Sequence, residues 1–142
     1  MATQMSDDDR RAFLLHGTRT GVVSTVRKDG TPHAAPVWFV LDGDVVVFMT
    51  GRETVKGRNL RRTGQAVVTV DDPTPPYSFV TITGRVELSE DLEQMLPWSI
   101  SIAQRYMGAD QADDFGRRNA VEGEMLVRLT PDRIAAEADL AD

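Results

Sequence analysis

Residues 21 to 49 read Gly-Val-Val-Ser-Thr-Val-Arg-Lys-Asp-Gly-Thr-Pro-His-Ala-Ala-Pro-Val-Trp-Phe-Val-Leu-Asp-Gly-Asp-Val-Val-Val-Phe-Met. Three runs rich in β-branched and aromatic residues, Val22 to Val26, Pro32 to Leu41 and Val45 to Met49, alternate with the dipeptides Asp29-Gly30 and Asp42-Gly43. Both dipeptides tolerate positive φ at the two centres of a type I′ turn, so the stretch predicts an antiparallel meander of three strands.

The flanks extend this β-rich centre. Upstream, Ser6 followed by Asp7, Asp8 and Asp9 supplies an N-cap and a negative first turn for a short helix with Ala12, Phe13, Leu14 and Leu15 on its apolar side, ended by Gly17. Downstream, Thr54 caps a helix running to about Arg62, and Gln65 to Val70 and Tyr77 to Leu88 read as strands joined by a proline-rich loop. Val80, Ile82, Val86 and Leu88 fall on one face with Gly84 between them, the period of a half-buried strand. Ser89, Glu90 and Asp91 open a helical region in which Leu92, Met95, Leu96, Ile100, Ala103 and Met107 recur at helical spacing, broken or kinked at Pro97. Glu124 to Thr130 gives the last strand. The expectation is a mainly β (α+β) fold, a six-stranded antiparallel barrel, closed or split, with a few short helices, because closure removes edges open to aggregation.

Composition narrows what such a barrel does. A chain of 142 residues forms one domain, 1–142, and buries about 70% of its unfolded surface. It has no run of 18 apolar residues, and its first residues are acidic where a secretory signal is basic and then apolar. A cytoplasmic protein without membrane insertion is expected. Zero cysteines exclude disulfides, thiolate nucleophiles and cysteine zinc sites, and two histidines, His16 and His33, are too few for a histidine-rich metal centre. A pI near 4.9 argues against general nucleic-acid binding, which needs a broad basic face.

Against that acidic background, residues 51 to 62, Gly-Arg-Glu-Thr-Val-Lys-Gly-Arg-Asn-Leu-Arg-Arg, gather five cations against one anion. With +4 on this segment and −6 on the whole chain, the remainder carries −10. Such a concentration of positive charge suits a small anionic partner. A helix start adds orphan N–H groups and the positive end of the macrodipole, which hold a phosphate with little rearrangement. Lys56 lies in the first turn, Gly57 lets the backbone approach a ligand, Arg58 and Asn59 add donors, and Arg58 and Arg62 share one side of the helix. A solvated amphipathic helix is the other reading of the same residues. The segment lacks the Gly-Lys-Ser/Thr ending of a Walker A loop and does not resemble a dinucleotide fingerprint.

The run Lys56-Gly57-Arg58-Asn59-Leu60-Arg61-Arg62, following a strand that ends Phe48-Met49-Thr50, resembles the phosphate-binding segment of the flavin/deazaflavin oxidoreductases, small split β-barrel proteins similar to pyridoxamine 5′-phosphate oxidase. The likeness extends through Gly21 to Val26, Asp29-Gly30-Thr31-Pro32, Pro36-Val37-Trp38-Phe39 and Thr81-Ile82-Thr83-Gly84-Arg85-Val86, in the same order. The basic helix is similar to the branch that uses the deazaflavin coenzyme F420 rather than FMN. The resemblance implies a homodimer with cofactors in grooves at the subunit interface. It implies that Lys56, Arg58 and Asn59 hold the cofactor phosphate, with Thr50, Gly51 and Thr54 as further polar contacts, and that Pro36, Val37 and Trp38 border the ring. A polyglutamate tail on the cofactor accounts for Arg61, Arg62 and Arg52. Thr54 departs from relatives that carry a basic residue at this place.

Other candidates are fewer. Trp38, Tyr77 and Trp98 are large aromatics able to floor a substrate pocket, with Tyr106 a fourth; core or dimer interface is the competing role for each. His33 is able to donate a proton or to serve structurally. Ser24 and Thr25 lack the base and orienter of an activated nucleophile, and the pairs Asp71-Asp72 and Asp113-Asp114 read as turn and cap residues. No side chain stands out as catalytic. That poverty fits an enzyme whose reaction is carried by its cofactor: hydride transfer from reduced deazaflavin to a quinone, enone or similar acceptor, in a pocket roofed by Trp38, residues 73 to 77 and the partner subunit. An FMN-dependent oxidoreductase on the same fold and a non-catalytic cofactor carrier are the alternatives.

Overall fold

The computed structural model describes residues 1–142. In chain order its elements are β1 (Thr3–Gln4), α1 (Asp7–Leu15), β2 (Gly21–Val26), β3 (Pro32–Val37), β4 (Phe39–Asp42), β5 (Val45–Gly51), α2 (Val55–Thr63), β6 (Gln65–Asp72), β7 (Ser78–Ser89), α3 (Leu92–Met107), α4 (Ala109–Asn119) and β8 (Glu124–Ala138). One antiparallel sheet runs β3-β2-β6-β7-β8-β5-β4, with β1 paired to β8. Its two outer strands are consecutive in sequence. They are joined by Trp38 alone, so the extended run from Pro32 to Asp42 leaves β2 for β5 at that residue and closes the sheet into a split barrel.

The fold class is as the sequence predicts, and the strand count is eight rather than six. The run read as one strand from Pro32 to Leu41 is two, and β1 adds a short pair at the amino terminus. Both hairpins form, with different turns from those expected. Between Val26 and Pro32 lies a five-residue loop in which the Gly30 N–H donates to the Arg27 carbonyl and Asp29 Oδ1 accepts from the Thr31 backbone. Only Gly30 has positive φ there. Between Asp42 and Val45 the two central residues are Gly43 and Asp44, again with positive φ at the glycine alone, the pattern of a II′ turn.

The barrel interior is filled by alternate residues of the strands, among them Val23, Phe39, Phe48, Val68, Val80, Ile82 and Leu129, with Leu14 of α1 and Leu60 of α2 closing it. Phe39 and Phe48 face each other across the β4–β5 hairpin and are wholly buried, worth ~1.5–3 kcal/mol each. On the outer face of β4, β5 and β8, Val40, Val47 and Leu126 meet Met95 and Ile102 of α3. Of the break or kink expected at Pro97, the break does not occur: helix α3 runs on through this exposed residue. The final strand extends past Pro131 to Ala138: Pro131 pairs with Gly84, and a register shift between Thr83 and Gly84 leaves the next residue, Asp132, unpaired.

Candidate functional site

Helix α2 starts where β5 ends, and threonine side chains fix the junction. Thr54 is the N-cap: its hydroxyl accepts from the Gly57 N–H at 3.1 Å and donates to the Gly51 carbonyl at 2.8 Å. Buried Thr50 lies 3.1 Å from the same hydroxyl. Gly57 is buried, and a Cβ there would lie 2.1 Å from the Gly51 carbonyl oxygen. The close approach its missing side chain permits is therefore to β5.

Asn59, 3% exposed, also faces inward. Its amide donates to Thr25 Oγ1 at 2.9 Å and its Oδ1 accepts from Arg62, tying α2 to β2. Arg62 donates to the Val26 carbonyl as well. The other arginines turn the opposite way. Arg58, Arg61 and Arg52 lie 3.3, 3.6 and 3.7 Å from Glu53, the single acid of the segment, and Arg52 reaches Glu90 at 3.2 Å. Arg58 and Arg62 thus point to different neighbours despite their helical spacing.

Lys56 differs from all of these. It is half-buried in the first turn and makes no hydrogen bond and no ion pair. Burial pulls its ammonium below the ordinary lysine value, opposed by the charge of Glu124. Glu124, the first residue of β8, stands opposite Gly51, and its Oε1 lies 4.0 Å from where a Gly51 Cβ would be. Its carboxyl is pushed above the ordinary value by burial, with Lys56 pulling it back down. A half-buried ammonium without a hydrogen-bonded partner, at a helix start with no acid in its first turn, suits a bound phosphate.

Beside this turn lies a cavity of about 240 Å³ lined by Pro36, Val37, Trp38, Met49, Ser99, Ile102, Ala103, Asn119 and Glu124. The three residues expected to border a ring therefore share one wall, and Glu124 joins that wall to Lys56. Trp38 is 40% exposed. Behind it, α3 holds the seam: Tyr106 Oη accepts from the Phe39 N–H at 3.1 Å and donates to the Arg19 carbonyl at 2.7 Å. Arg105 donates to the carbonyls of Phe39, Leu14 and Gly17.

The other candidates lie elsewhere. Tyr77, exposed and at positive φ, sits in the β6–β7 turn bonded to Thr74 and Leu140 and does not line the Trp38 cavity. Trp98 packs from α3 against the cluster of Val40, Val47, Met95, Ile102 and Leu126, with the Arg128 guanidinium 5.4 Å from its ring. His33 pairs with Thr25 across β2 and β3, and its Nδ1 is buried without a partner. Asp72 accepts from the Thr74 backbone, and Asp113 lies inside α4 paired with Arg117. Glu124 and Arg105 are the residues that the sequence did not single out: their surroundings come from segments distant in the chain.

A larger cavity, about 420 Å³, opens between α1 and the ends of β1, β7 and β8. It lies apart from the basic turn. No helix is long and apolar enough to cross a membrane.

Residues 7–136 match the model of the pyridoxamine 5′-phosphate oxidase family. No curated protein matches in sequence. Among solved structures, a conserved hypothetical protein from Mycobacterium tuberculosis superposes with a TM-score of 0.85 at 26% identity, over 95% of this chain and 86% of the other. A protein described as an F420 reductase is 27% identical with a TM-score of 0.68, over 87% of this chain and 94% of the other. An FAD-binding protein from Mesorhizobium loti shares the fold, with a TM-score of 0.69 at 16% identity over 96% of each chain.

Proposed function

The chain belongs to the pyridoxamine 5′-phosphate oxidase family, and from that premise we propose that it is an F420-dependent reductase acting on quinones, enones or similar conjugated acceptors. The observation that carries this reading is the half-buried, unpartnered Lys56 ammonium beside the Trp38 cavity: a cation for a phosphate next to an apolar wall for a ring. The 27% identity to a protein described as an F420 reductase supports the choice of cofactor.

On this reading Lys56 and the start of α2 hold the phosphate. Thr50, Gly51 and Thr54 shape that start, and Asn59 anchors the helix to β2 through Thr25. Arg58, Arg61 and Arg52 exchange Glu53 for the carboxylates of the tail, while Arg62 stays on Val26. Pro36, Val37 and Trp38 border the ring, and a second copy of the chain completes the groove over the exposed Trp38 in a homodimer. When bound, the reduced deazaflavin supplies the hydride. The protein fixes distance and excludes water.

One observation favours FMN instead. Glu53 already holds three arginines, so the free capacity of the segment is a single phosphate grip, which is all that FMN needs. Titration with both cofactors separates the readings. Tighter binding of F420, and oxidation of reduced F420 by a panel of quinones and enones, bears out the first. A yellow protein that retains FMN through purification overturns it in favour of the second.

A further inference from the structure

Glu124 is an acid in an unexpected place. It stands at the boundary between the cationic turn and the Trp38 cavity, with its carboxylate over Gly51 and no hydrogen-bond partner in the protein. A carboxylate beside a phosphate grip repels the anion it would neighbour, and it weakens the hold of Lys56 on that anion. A purely binding role argues for an asparagine or a serine there. A protonatable group at this position has another use.

We propose that Glu124 is the proton donor that accompanies hydride delivery in the Trp38 cavity, taking up its proton when the anionic cofactor binds. The inference rests on the function proposed above. Lys56, from α2, is the charged group that acts on this carboxyl. The residues that line the cavity with it are uncharged, among them Met49 from β5, Ser99 and Ala103 from α3, and Asn119 from α4. A bound phosphate takes over Lys56 and adds negative charge, and both changes raise a carboxyl that burial has already raised. The acid is therefore loaded when the site is filled.

The step balances. A hydride arriving at the electron-poor carbon of an enone forms a C–H bond and drives the π pair onto the carbonyl oxygen. The O–H bond of Glu124 breaks and its proton forms the second C–H bond, on the α-carbon. The acceptor gains two electrons, the deazaflavin loses two, and water reprotonates Glu124. A proton transfer of this kind contributes about 100-fold or more to rate.

The test uses the full chain with F420 and with FMN, in buffers of different ionisation enthalpy, followed by turnover of an enone by wild type and Glu124→Gln. Three results are expected: proton uptake on binding that is absent in Glu124→Gln, cofactor affinity of the variant equal to or tighter than wild type, and turnover lowered about 100-fold. Wild-type turnover falls as pH rises through the Glu124 titration, and the variant lacks that limb. Binding without proton uptake by wild type, or variant turnover within about twofold of wild type, overturns the role of Glu124 and leaves the function standing. Failure of both cofactors to bind wild type overturns the function and this inference together. The uptake measurement on the unaltered chain needs no variant to fold.

Discussion

The rings of Trp38 and Tyr106 lie parallel, 4.9 Å apart between centroids and 2° between planes. Tyr106 thereby backs the residue at which the sheet closes, and its hydroxyl satisfies the Phe39 N–H where the β ladder is interrupted. Tyr106→Phe keeps the stack and orphans that N–H, so it should cost ~1–3 kcal/mol in chemical denaturation with little change in Trp38 fluorescence. Tyr106→Leu also removes the stack and should change that fluorescence. Equal stability of wild type and Tyr106→Phe would contradict this account of the seam.

Gly57 offers a second test. Alanine in a helix interior is ordinarily worth up to ~1 kcal/mol over glycine. Here the added methyl meets the Gly51 carbonyl, a backbone atom with no freedom to swing aside. Gly57→Ala should therefore destabilise by ~1–3 kcal/mol and weaken cofactor binding through displacement of α2. A thermal melt showing a stabilised variant would refute the close contact.

The features legible in the sequence were those whose cause is local. Thr54 and the basic residues after it mark α2, and Asp29-Gly30 and Asp42-Gly43 mark the hairpins. The break at Trp38 left no local mark, because it arises where the extended run exchanges its preceding hairpin partner, β2, for its following one, β5. Helix α4 has Gly108 as its N-cap, with no side-chain cap hydrogen bond, and so lacks a start signal. Pro131 reads as a terminator, yet the strand passes it by a register shift against β7. Lys56 was visible as a cation, but Glu124, which acts on it from β8, was not. Tyr77 and Trp98 stand out in the sequence for ring size, and the fold gives one to a surface turn and the other to the packing of α3.

Asp44 provides the pH dependence. Hydrogen bonds from Arg11 first, then Arg10, hold its carboxyl below the ordinary 3.8, and they tie α1 to the β4–β5 turn. A lowered folded value means that the stabilisation is present above the unfolded value and is lost as pH falls through the folded one. Asp44→Asn should lower the melting temperature at pH 7 and lessen the further loss below about pH 4. Parallel melting curves for the two proteins from pH 7 to 2 would exclude the contribution.

The pairing of Asn59 with Thr25 is separable from ligand binding. Asn59→Ala, Thr25→Val and the double variant form a cycle in which the two sites should couple, because either single change leaves a buried polar group unpaired. A coupling energy of about 0.5–3 kcal/mol by urea denaturation is expected. Strict additivity would show that the hydrogen bond contributes nothing to holding α2.

The central claim is that the start of α2 grips the phosphate of a redox cofactor through Lys56. Calorimetric titration of F420 into wild type and Lys56→Ala, at one ionic strength, tests it directly. Loss of a charge-assisted contact should weaken binding by about 10-fold to 100-fold while the variant keeps its melting temperature. Equal affinity for the two proteins would contradict the claim.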